Sequence, residues 1–412
     1  MKKKNMRAWL ALALAALVAA ALTACGGGDS SSSSTVSETS GSEAAGSTEA
    51  ASEPASEASG DSVVAEAKEA VARNFEGTDR PLPKSGPKAQ KGKSVFAIPC
   101  LAAAPGCQIP VEAFADAGKA LGWDVTIADG KGTPAGESAA IDAAIAADAD
   151  GIALMAISCS EVQPALKRAH DAGIKIFEIN GLDCDDPAVE AGPGLFDGET
   201  NFGEIGTIAD WIEESWSQVA NWVIAETNGE AKVIEPVSLN PEISAMEART
   251  FEGAMEKCSG CEVYRLPFTL ADLSGNKLEQ KVAAALTAHP DANVVVAPYD
   301  AALLLGISQA VEAARNSGRE LLLTGYEGLP DTIPLIENGV QSMSAGGQPP
   351  NWWGWAAADG LNRVFAGAPP VDPGFGLQFI TKDKNLPTTP YYNGNQKSQG
   401  YEDNYKRIWG VE

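Results

Sequence analysis

The feature that most constrains the fold is an alternation of short apolar runs with amphipathic segments of helical period. In the first half of the chain we predict strands at 94–99, 124–128, 151–156 and 174–179, separated by helices at 111–121, 138–147 and 162–172. Strands alternating with helices about every 25 residues are typical of βαβ units and a parallel sheet. The strands are apolar almost throughout, as expected for a sheet that is covered on both faces.

A second series of the same kind follows a Gly/Pro/Asp-rich stretch at 181–202. A long helix at 201–227 precedes predicted strands at 231–237, 262–266, 293–297, 321–326 and 340–344, with helices at 245–257, 276–288, 301–316 and 331–337 between them. Two such sheets exceed what one core usually holds. The sequence therefore predicts an α/β protein with two doubly wound parallel-sheet lobes, lobe one from 94–200 plus 348–378 and lobe two from 201–347 plus 379–412. Ligands of such sheets bind at the carboxyl ends of the strands.

The N-terminus has the pattern of an export signal. Lys2, Lys3, Lys4 and Arg7 precede an apolar run that ends at Leu22-Thr23-Ala24-Cys25. The run is too short to span a bilayer as a helix, and small residues before a cysteine resemble a bacterial lipoprotein signal. We expect residues 1–24 to be removed and Cys25 to carry a lipid that anchors the protein on the extracytoplasmic face of the cell membrane. The alternative is an ordinary secretory signal with a chance cysteine.

The segment after Cys25 has the composition of a tether. Residues 25–60 are nearly all Gly, Ser, Ala, Thr and acidic residues, which cannot bury enough apolar surface to fold. Residues 61–93 are predicted to form a helix and an extended, proline-containing connector to lobe one. The formal charge of −25 argues against binding nucleic acid.

Six cysteines remain besides Cys25, and an even number in an exported protein suggests disulfides. Six cysteines allow 15 connectivities. Pairing by neighbourhood gives Cys100 with Cys107, Cys159 with Cys184 and Cys258 with Cys261. The alternative for the last pair, a Cys-x-x-Cys motif, is a redox or zinc site, although no second cysteine pair or histidine cluster completes a tetrahedral set.

Several motifs, taken in order, resemble the type I periplasmic binding proteins, the ribose-binding-protein-like solute receptors of ABC importers. The resemblance extends over residues 94 to about 380. It is carried by Leu121-Gly122-Trp123-Asp124-Val125, Asp148-Ala149-Asp150-Gly151-Ile152, Ala172-Gly173-Ile174-Lys175-Ile176, Leu286-Thr287-Ala288-His289-Pro290-Asp291, Val294-Val295-Val296 and Thr324-Gly325-Tyr326-Glu327-Gly328. It implies two lobes joined by three hinge strands, a ligand enclosed between them, and docking of a monomer on a membrane permease driven by a separate ATPase.

The same resemblance leaves the ligand open. The stretch Ala103-Ala104-Pro105-Gly106-Cys107-Gln108 stands where the family often has an aromatic pair, and Asn180-Gly181 stands where it often has Asp-Arg. A sugar-like or related cyclic compound is the expectation, and an aromatic or carboxylate solute is the alternative. A receptor that serves a membrane signalling protein instead of a permease also stays open. The sequence lacks GxSxG, HExxH, P-loop and strand-linked GxGxxG motifs, so we expect neither an enzyme nor a cofactor.

Polar side chains at predicted strand ends are the candidates for ligand contact. Amides and carboxylates in a closed cleft can select hydroxyl groups by direction, and Arg249 could bind a carboxylate bidentately. Two tryptophans at the start of a helix could stack on a ring, and core packing is their alternative. Asp300 could equally be a helix N-cap. The candidate ligand-binding residues are Gln108, Asn180, Arg249, Tyr299, Asp300, Glu327, Gln348, Trp352 and Trp353.

Overall fold

A computed structural model describes residues 60–239, 242–395 and 400–411. The predicted signal peptide, Cys25 and the tether up to residue 59 lie outside the described residues. Within the described part of the chain, no helix is both long and apolar enough to cross a membrane.

The first half of the described chain alternates strands with helices, as the periodicity predicts. Its elements are α1 (Gly60–Glu76), β1 (Ser94–Pro99), α2 (Pro105–Leu121), β2 (Asp124–Ile127), α3 (Pro134–Ala146), β3 (Gly151–Met155), α4 (Cys159–Asp171), β4 (Lys175–Glu178) and β5 (Gly198–Glu199).

The second half repeats this alternation and then adds three closing elements. It comprises α5 (Ile208–Glu226), β6 (Lys232–Ser238), α6 (Glu242–Met255), β7 (Glu262–Phe268), α7 (Lys277–Ala288), β8 (Val294–Val296), α8 (Asp300–Ala302), α9 (Ser308–Asn316), β9 (Leu322–Gly325), α10 (Ile333–Glu337), β10 (Met343–Gly346), α11 (Pro350–Phe365), β11 (Gln378–Ile380) and α12 (Tyr401–Trp409). A 3₁₀ turn spans Leu270–Leu273, and a π-helical segment spans Leu303–Ile307.

The strands form two sheets, one in each lobe. Lobe one holds a parallel sheet of order β2-β1-β3-β4-β5, and lobe two holds a sheet of order β11-β10-β9-β8-β6-β7. All pairs are parallel except β10 with β11. The predicted fold class, an α/β protein with two parallel-sheet lobes, is confirmed.

Local signals explain where several helices begin. Ser158 and Glu161 form a capping box at α4, and Thr207 forms one with Asp210 at α5. α5 therefore starts seven residues later than the predicted start at residue 201. α2 starts earlier than predicted, at Pro105, because a proline in the first turn needs no hydrogen-bond donor.

The predicted helix at 301–316 is divided by the π-helical segment. Gly306 lies there against the backbone of α7, with room for no side chain: a Cβ would lie 2.6 Å from the amide nitrogen of Glu279. The close approach of the two helices displaces the hydrogen-bond ladder at this point.

The chain crosses between the lobes at 200–207, 347–349 and 366–377, which we call the first, second and third hinge segments. Residues 379–412 were expected in lobe two, yet α12 packs on α11 and α2 of lobe one. Contacts of Trp409 hold α12 on lobe one. Its ring stacks on Trp355 with centroids 5.8 Å apart, and its indole N–H donates to Asp359 at 2.7 Å.

The six described cysteines lie in the three pairs that neighbourhood suggests: Cys100 with Cys107, Cys159 with Cys184, and Cys258 with Cys261. The first pair joins the end of β1 to the first turn of α2. The second joins the start of α4 to the loop after β4. This pairing leaves no thiol of Cys258 or Cys261 free for zinc or thiol redox chemistry while the bond is intact.

One apolar core cluster extends through both lobes and the hinge between them. Its centre is aromatic, with Phe375 of the third hinge segment in contact with Phe202, Trp352 and Trp353 at ring distances of 6.1, 4.8 and 5.9 Å. Phe202 also stacks on Trp211 at 5.0 Å. The hinge is thus a packed region and not a set of solvated linkers.

Candidate functional site

The carboxyl ends of both sheets point toward the gap between the lobes, and the two lobes touch there. The Ser160 hydroxyl at the start of α4 donates to Oε2 of Glu242 at the start of α6, at 2.8 Å. Gly106 in the first turn of α2 lies directly against the Glu327 carboxylate of lobe two, so closely that a Cβ at position 106 would overlap Oε1. The structure is therefore that of closed lobes.

The lobe-two side of this contact contains predicted residues at the ends of β8 and β9. The Tyr299 hydroxyl donates to Ser238 Oγ at 3.2 Å, at the end of β6. Oε2 of Glu327 accepts a hydrogen bond from the backbone N–H of Asp300 at 2.7 Å. Burial raises the pKa of Glu327 to about 8, and repulsion from Asp300 acts in the same direction. Tyr299 and Glu327 thus lie together, as strand-end reasoning predicts.

The Asp300 carboxylate holds a loop in place. It is fully buried and accepts hydrogen bonds from the Leu329 N–H at 2.8 Å and from the Thr332 hydroxyl. It therefore fixes the 327–332 loop that carries Glu327. Its Oδ1 has no hydrogen-bond partner in the described structure, so ligand contact by Asp300 stays a prediction. The N-cap of α8 is Tyr299 and not Asp300, which is the first residue of the helix.

Two residues of the same cluster, Glu247 and Tyr326, were not among the sequence candidates. Glu247 of α6 is 6 % exposed and lies beside the side chains of Trp216 and Ser244. Burial holds the pKa of Glu247 well above its usual range, with Glu327 adding repulsion. Tyr326 stacks on Trp216 at 5.0 Å.

A polar chain continues from Tyr326 into the second hinge segment. Its hydroxyl donates to Ser215 Oγ at 2.8 Å and shares a hydrogen bond with the Gln348 side chain. Gln348 thus belongs to this cluster, and its contact with a ligand stays a prediction. We call Glu247, Tyr299, Glu327, Tyr326 and Gln348 the lobe-two polar cluster.

The sequence did contain a signal for Glu247. Ile243, Ala248 and Phe251 lie on the buried face of α6, and Glu247 falls four residues after the first and four before the last. A carboxylate on the apolar face of a helix is costly to bury without a function or a partner. None of the ion pairs among the described residues reaches Glu247 or Glu327.

Lobe one contributes amide groups. Asn180, two residues beyond β4, is 7 % exposed, and its Oδ1 has no hydrogen-bond partner in the described structure. Its backbone N–H donates to Oε1 of the buried Glu178 at 3.0 Å. Gln108 donates through Nε2 to Glu112 at 2.8 Å, while its Oε1 is buried without a partner. Buried acceptors without a partner can be satisfied by ligand hydroxyls.

Arg249 lies apart from these residues. It is exposed on α6 and lines a groove with Glu213 and Ser217 of α5, Glu242 of α6 and Ala188 of lobe one. The structure does not bring it to Glu327, because the α6 face that carries Glu247 is turned inward and Arg249 is two residues further on.

Trp352 and Trp353 are core residues, which corrects their assignment as ligand contacts. Both are at most 1 % exposed and both pack edge-on against Phe375. Trp352 also stacks on Tyr401 at 5.8 Å. They hold α11 against the hinge and α12, which is the core-packing alternative considered from their spacing.

Two α/β lobes with polar strand ends meeting at a closed gap define a type I periplasmic-binding fold. The chain belongs to the periplasmic binding protein family, since the family model described as "Periplasmic binding protein domain" matches residues 97–369, more than half of the chain. Among curated proteins, none matches.

Solved structures share the fold at low identity. An ABC sugar transporter subunit from Rhodobacter sphaeroides is 19 % identical with a TM-score of 0.59, and the alignment covers 71 % of this chain and 99 % of that one. A solute-binding protein from Agrobacterium vitis, bound to α-D-tagatopyranose, is 18 % identical with a TM-score of 0.60 over 71 % and 95 %. One from Bacillus halodurans, bound to myo-inositol, is 15 % identical with a TM-score of 0.57 over 71 % and 96 %.

Proposed function

We propose that this protein captures a small polar solute, sugar-like or a related cyclic compound, between its lobes and delivers it to the permease of an ABC importer. The observation that carries the proposal is the position of the lobe-two polar cluster, where Glu327 meets the first turn of α2 across the gap. Carboxylic acid, phenol and amide groups held there by other hydrogen bonds can donate to and accept from hydroxyls in fixed directions. The Agrobacterium and Bacillus proteins of the same fold were solved with a ketose and a cyclitol.

The charge at the site also bears on the ligand class. A carboxylate solute would bring an ionised group to a cluster that holds two buried carboxyl groups and no Lys or Arg, while Arg249, the residue that could have paired with it, lines a groove apart from that cluster. A neutral polyol imposes no such cost, because protonated carboxyl groups can donate to its oxygens. We therefore favour a neutral, hydroxyl-rich ligand over the carboxylate alternative.

The remaining parts of the proposal concern location and delivery. We propose that Cys25 is lipidated, that the body acts outside the cytoplasmic membrane as a monomer, and that it binds its solute without transforming it. Labelling cells with an alkyne fatty acid and comparing the natural chain with Cys25→Ala tests the anchor. Release of the variant into the medium, with loss of label, is the expected result.

The ligand proposal is tested first by mass spectrometry of small molecules released from the purified, denatured protein. A thermal-shift screen with D-tagatose, myo-inositol, pentoses and hexoses follows, because a ligand that binds only the folded state raises the melting temperature. The variants Glu327→Gln and Tyr299→Phe should each need at least ten times more ligand to reach the same rise in melting temperature. Glu137→Gln, a buried glutamate of lobe one outside the cluster, is the matched control. A chain that neither carries nor binds any polyol would overturn the proposal, and a retained shift in both variants would remove the cluster from the site.

Solute delivery needs a separate measurement. A strain lacking the protein should lose uptake of the ligand identified above and regain it with the natural chain. Unchanged uptake together with a lost transcriptional response to that ligand would favour the signalling receptor instead.

A further inference from the structure

A segment before the family domain crosses the hinge. Residues 77–93, which we call the N-terminal strap, follow α1 and end at β1. Their near end is fixed to lobe two through α1, where Asn74 Nδ2 donates to Gln218 Oε1 of α5 at 2.9 Å. Phe75 packs edge-on against Phe379 of β11 with ring centroids 6.0 Å apart.

The strap then runs beside the third hinge segment as an added pairing partner. The Thr78 N–H donates to the Leu377 carbonyl at 3.0 Å, and the Leu377 N–H donates back to Thr78 Oγ1 at 2.8 Å. The Arg80 N–H donates to the Gly374 carbonyl at 2.8 Å. Backbone pairing of this kind fixes the position of both segments along the chain.

Arg80 also joins two hinge segments with its side chain. Nε and one terminal nitrogen donate to the two oxygens of Asp372 at 2.7 and 3.0 Å, a bidentate pair. The same terminal nitrogen donates to the Phe202 carbonyl of the first hinge segment at 3.2 Å. Both side chains are about one-quarter exposed, so the pair is partly shielded from water.

The strap lies against the hinge backbone with no space for side chains. Gly374 has a φ of +96°, and a Cβ there would be 2.5 Å from the Arg80 carbonyl oxygen. A Cβ on Gly376 would overlap the backbone of Thr78 and Asp79. Glycine is required at 376 because the approaching atoms are backbone and cannot move aside as a side chain could.

The far end of the strap is fixed to lobe one. The Ser85 carbonyl accepts from Arg363 of α11 at 2.7 Å, and the Gln90 carbonyl accepts from the Trp123 indole at 2.7 Å. The Ala89 N–H donates to the carbonyl of Trp409 at 3.1 Å. The strap is therefore attached to lobe two, to two hinge segments and to lobe one in succession.

We propose that the N-terminal strap is a brace that limits how far the lobes open, with Arg80 as its positioning residue. Opening changes the backbone of the hinge segments, and any change that separates Phe202 from Asp372 breaks the Arg80 contacts. The strap lies before residue 97, where the family match begins, so this brace is an addition to the shared domain. The inference concerns motion of the unliganded protein and does not depend on which solute binds.

The test measures the separation of the lobes directly. Spin labels introduced as non-natural amino acids at Lys167 of α4 and at Glu256, just after α6, report on two helices whose first turns meet at the Ser160–Glu242 contact. Pulsed electron spin resonance on the unliganded chain should give one narrow distance for the natural sequence. We expect Arg80→Ala and Gly376→Ala to increase the population at longer distances at least threefold.

Matched variants separate bracing from general loss of stability. Arg168 forms a bidentate pair with Asp142 inside lobe one, with Nε at 3.1 Å from Oδ1 and a terminal nitrogen at 2.9 Å from Oδ2, so Arg168→Ala removes a bidentate, though more exposed, ion pair without touching the hinge. Its distance distribution should equal that of the natural chain. If Arg80→Ala fails to fold, Arg80→Lys is the variant to measure, because it keeps the positive charge and loses the bidentate hydrogen bonds to Asp372. Unchanged distances in the Arg80 and Gly376 variants, or equal broadening in the Arg168 control, would overturn the proposal.

Discussion

Replacing Glu327 by Gln should make the protein less sensitive to alkaline pH. The carboxyl group has a pKa of about 8 in the folded chain against an ordinary value of 4.5, mainly because it is buried and secondly because Asp300 is near. A raised pKa means that the folded state binds the proton more tightly than the unfolded state. Its contribution to stability is full below pH 4.5 and is lost as the pH rises toward 8.

The size of the effect follows from the difference between the two pKa values of Glu327. Each pH unit between the two values removes at most about 1.4 kcal/mol from the free energy of unfolding, which gives an upper limit of about 5 kcal/mol. Gln mimics the protonated acid and can still accept a hydrogen bond from the Asp300 N–H. The unfolding free energy of the variant should therefore lack the part of the pH dependence that Glu327 contributes. Urea unfolding at a series of pH values from 5 to 8.5 measures it, and we expect the variant to retain about 1 to 4 kcal/mol more of its stability across the range.

Two control variants test whether the change in pH dependence is specific to buried carboxyl groups. Burial raises the pKa of Glu137 to about 8 as well, with Glu161 adding repulsion, so Glu137→Gln should flatten the curve similarly while leaving ligand binding intact. Glu256→Gln on the surface should change nothing. If Glu327→Gln kept the full slope, the carboxyl would already be ionised at neutral pH, and the case for a neutral, hydrogen-donating site would fail.

Three further predictions follow from the packing. Phe375→Ala removes a ring that contacts Phe202, Trp352 and Trp353 and should cost about 3–5 kcal/mol in denaturant unfolding; a loss below about 1 kcal/mol would mean that the hinge is not packed as described. Gly106→Ala places a Cβ against Glu327 and should enlarge the radius of gyration in small-angle scattering, whereas Gly253→Ala, which has open space, should not. Peptide mapping should find the three cysteine pairs, and removing the Cys159–Cys184 bond should cost about 3 kcal/mol for its separation of 25 residues; a free thiol at any of the six positions would contradict the pairing.

Periodicity was enough to predict both sheets and most of the elements between them, because buried parallel strands are apolar and helices covering them have one apolar face. It failed where contacts distant in sequence decide. β5 is two residues long and exists only beside β4, and α12 joins lobe one through rings that no local pattern relates. The π-helical segment depends on how closely α7 approaches Gly306.

The site was predictable to the extent that it follows strand ends. Tyr299, Glu327 and Gln348 belong to one cluster because the carboxyl ends of β8, β9 and β10 lie at one edge of the sheet. Trp352 and Trp353 were misassigned because a buried ring and a ligand-stacking ring have the same spacing in sequence. The role of Asp300 in holding the 327–332 loop was not predictable, because its partners, Leu329 and Thr332, come from a loop whose path the sequence does not define.

The place of Trp409 has a consequence for how the chain folds. Lobe one is assembled from 94–199, α11 and α12, so its core includes a tryptophan that is 1 % exposed and more than 300 residues beyond β1. Contacts that distant in sequence form slowly, since a long loop must be closed first. A chain emerging N-terminus first from a ribosome or a translocation channel cannot complete lobe one before residue 409 has emerged. Such a chain stays incompletely folded until almost all of it has emerged, and an incompletely folded chain can pass through a translocation channel.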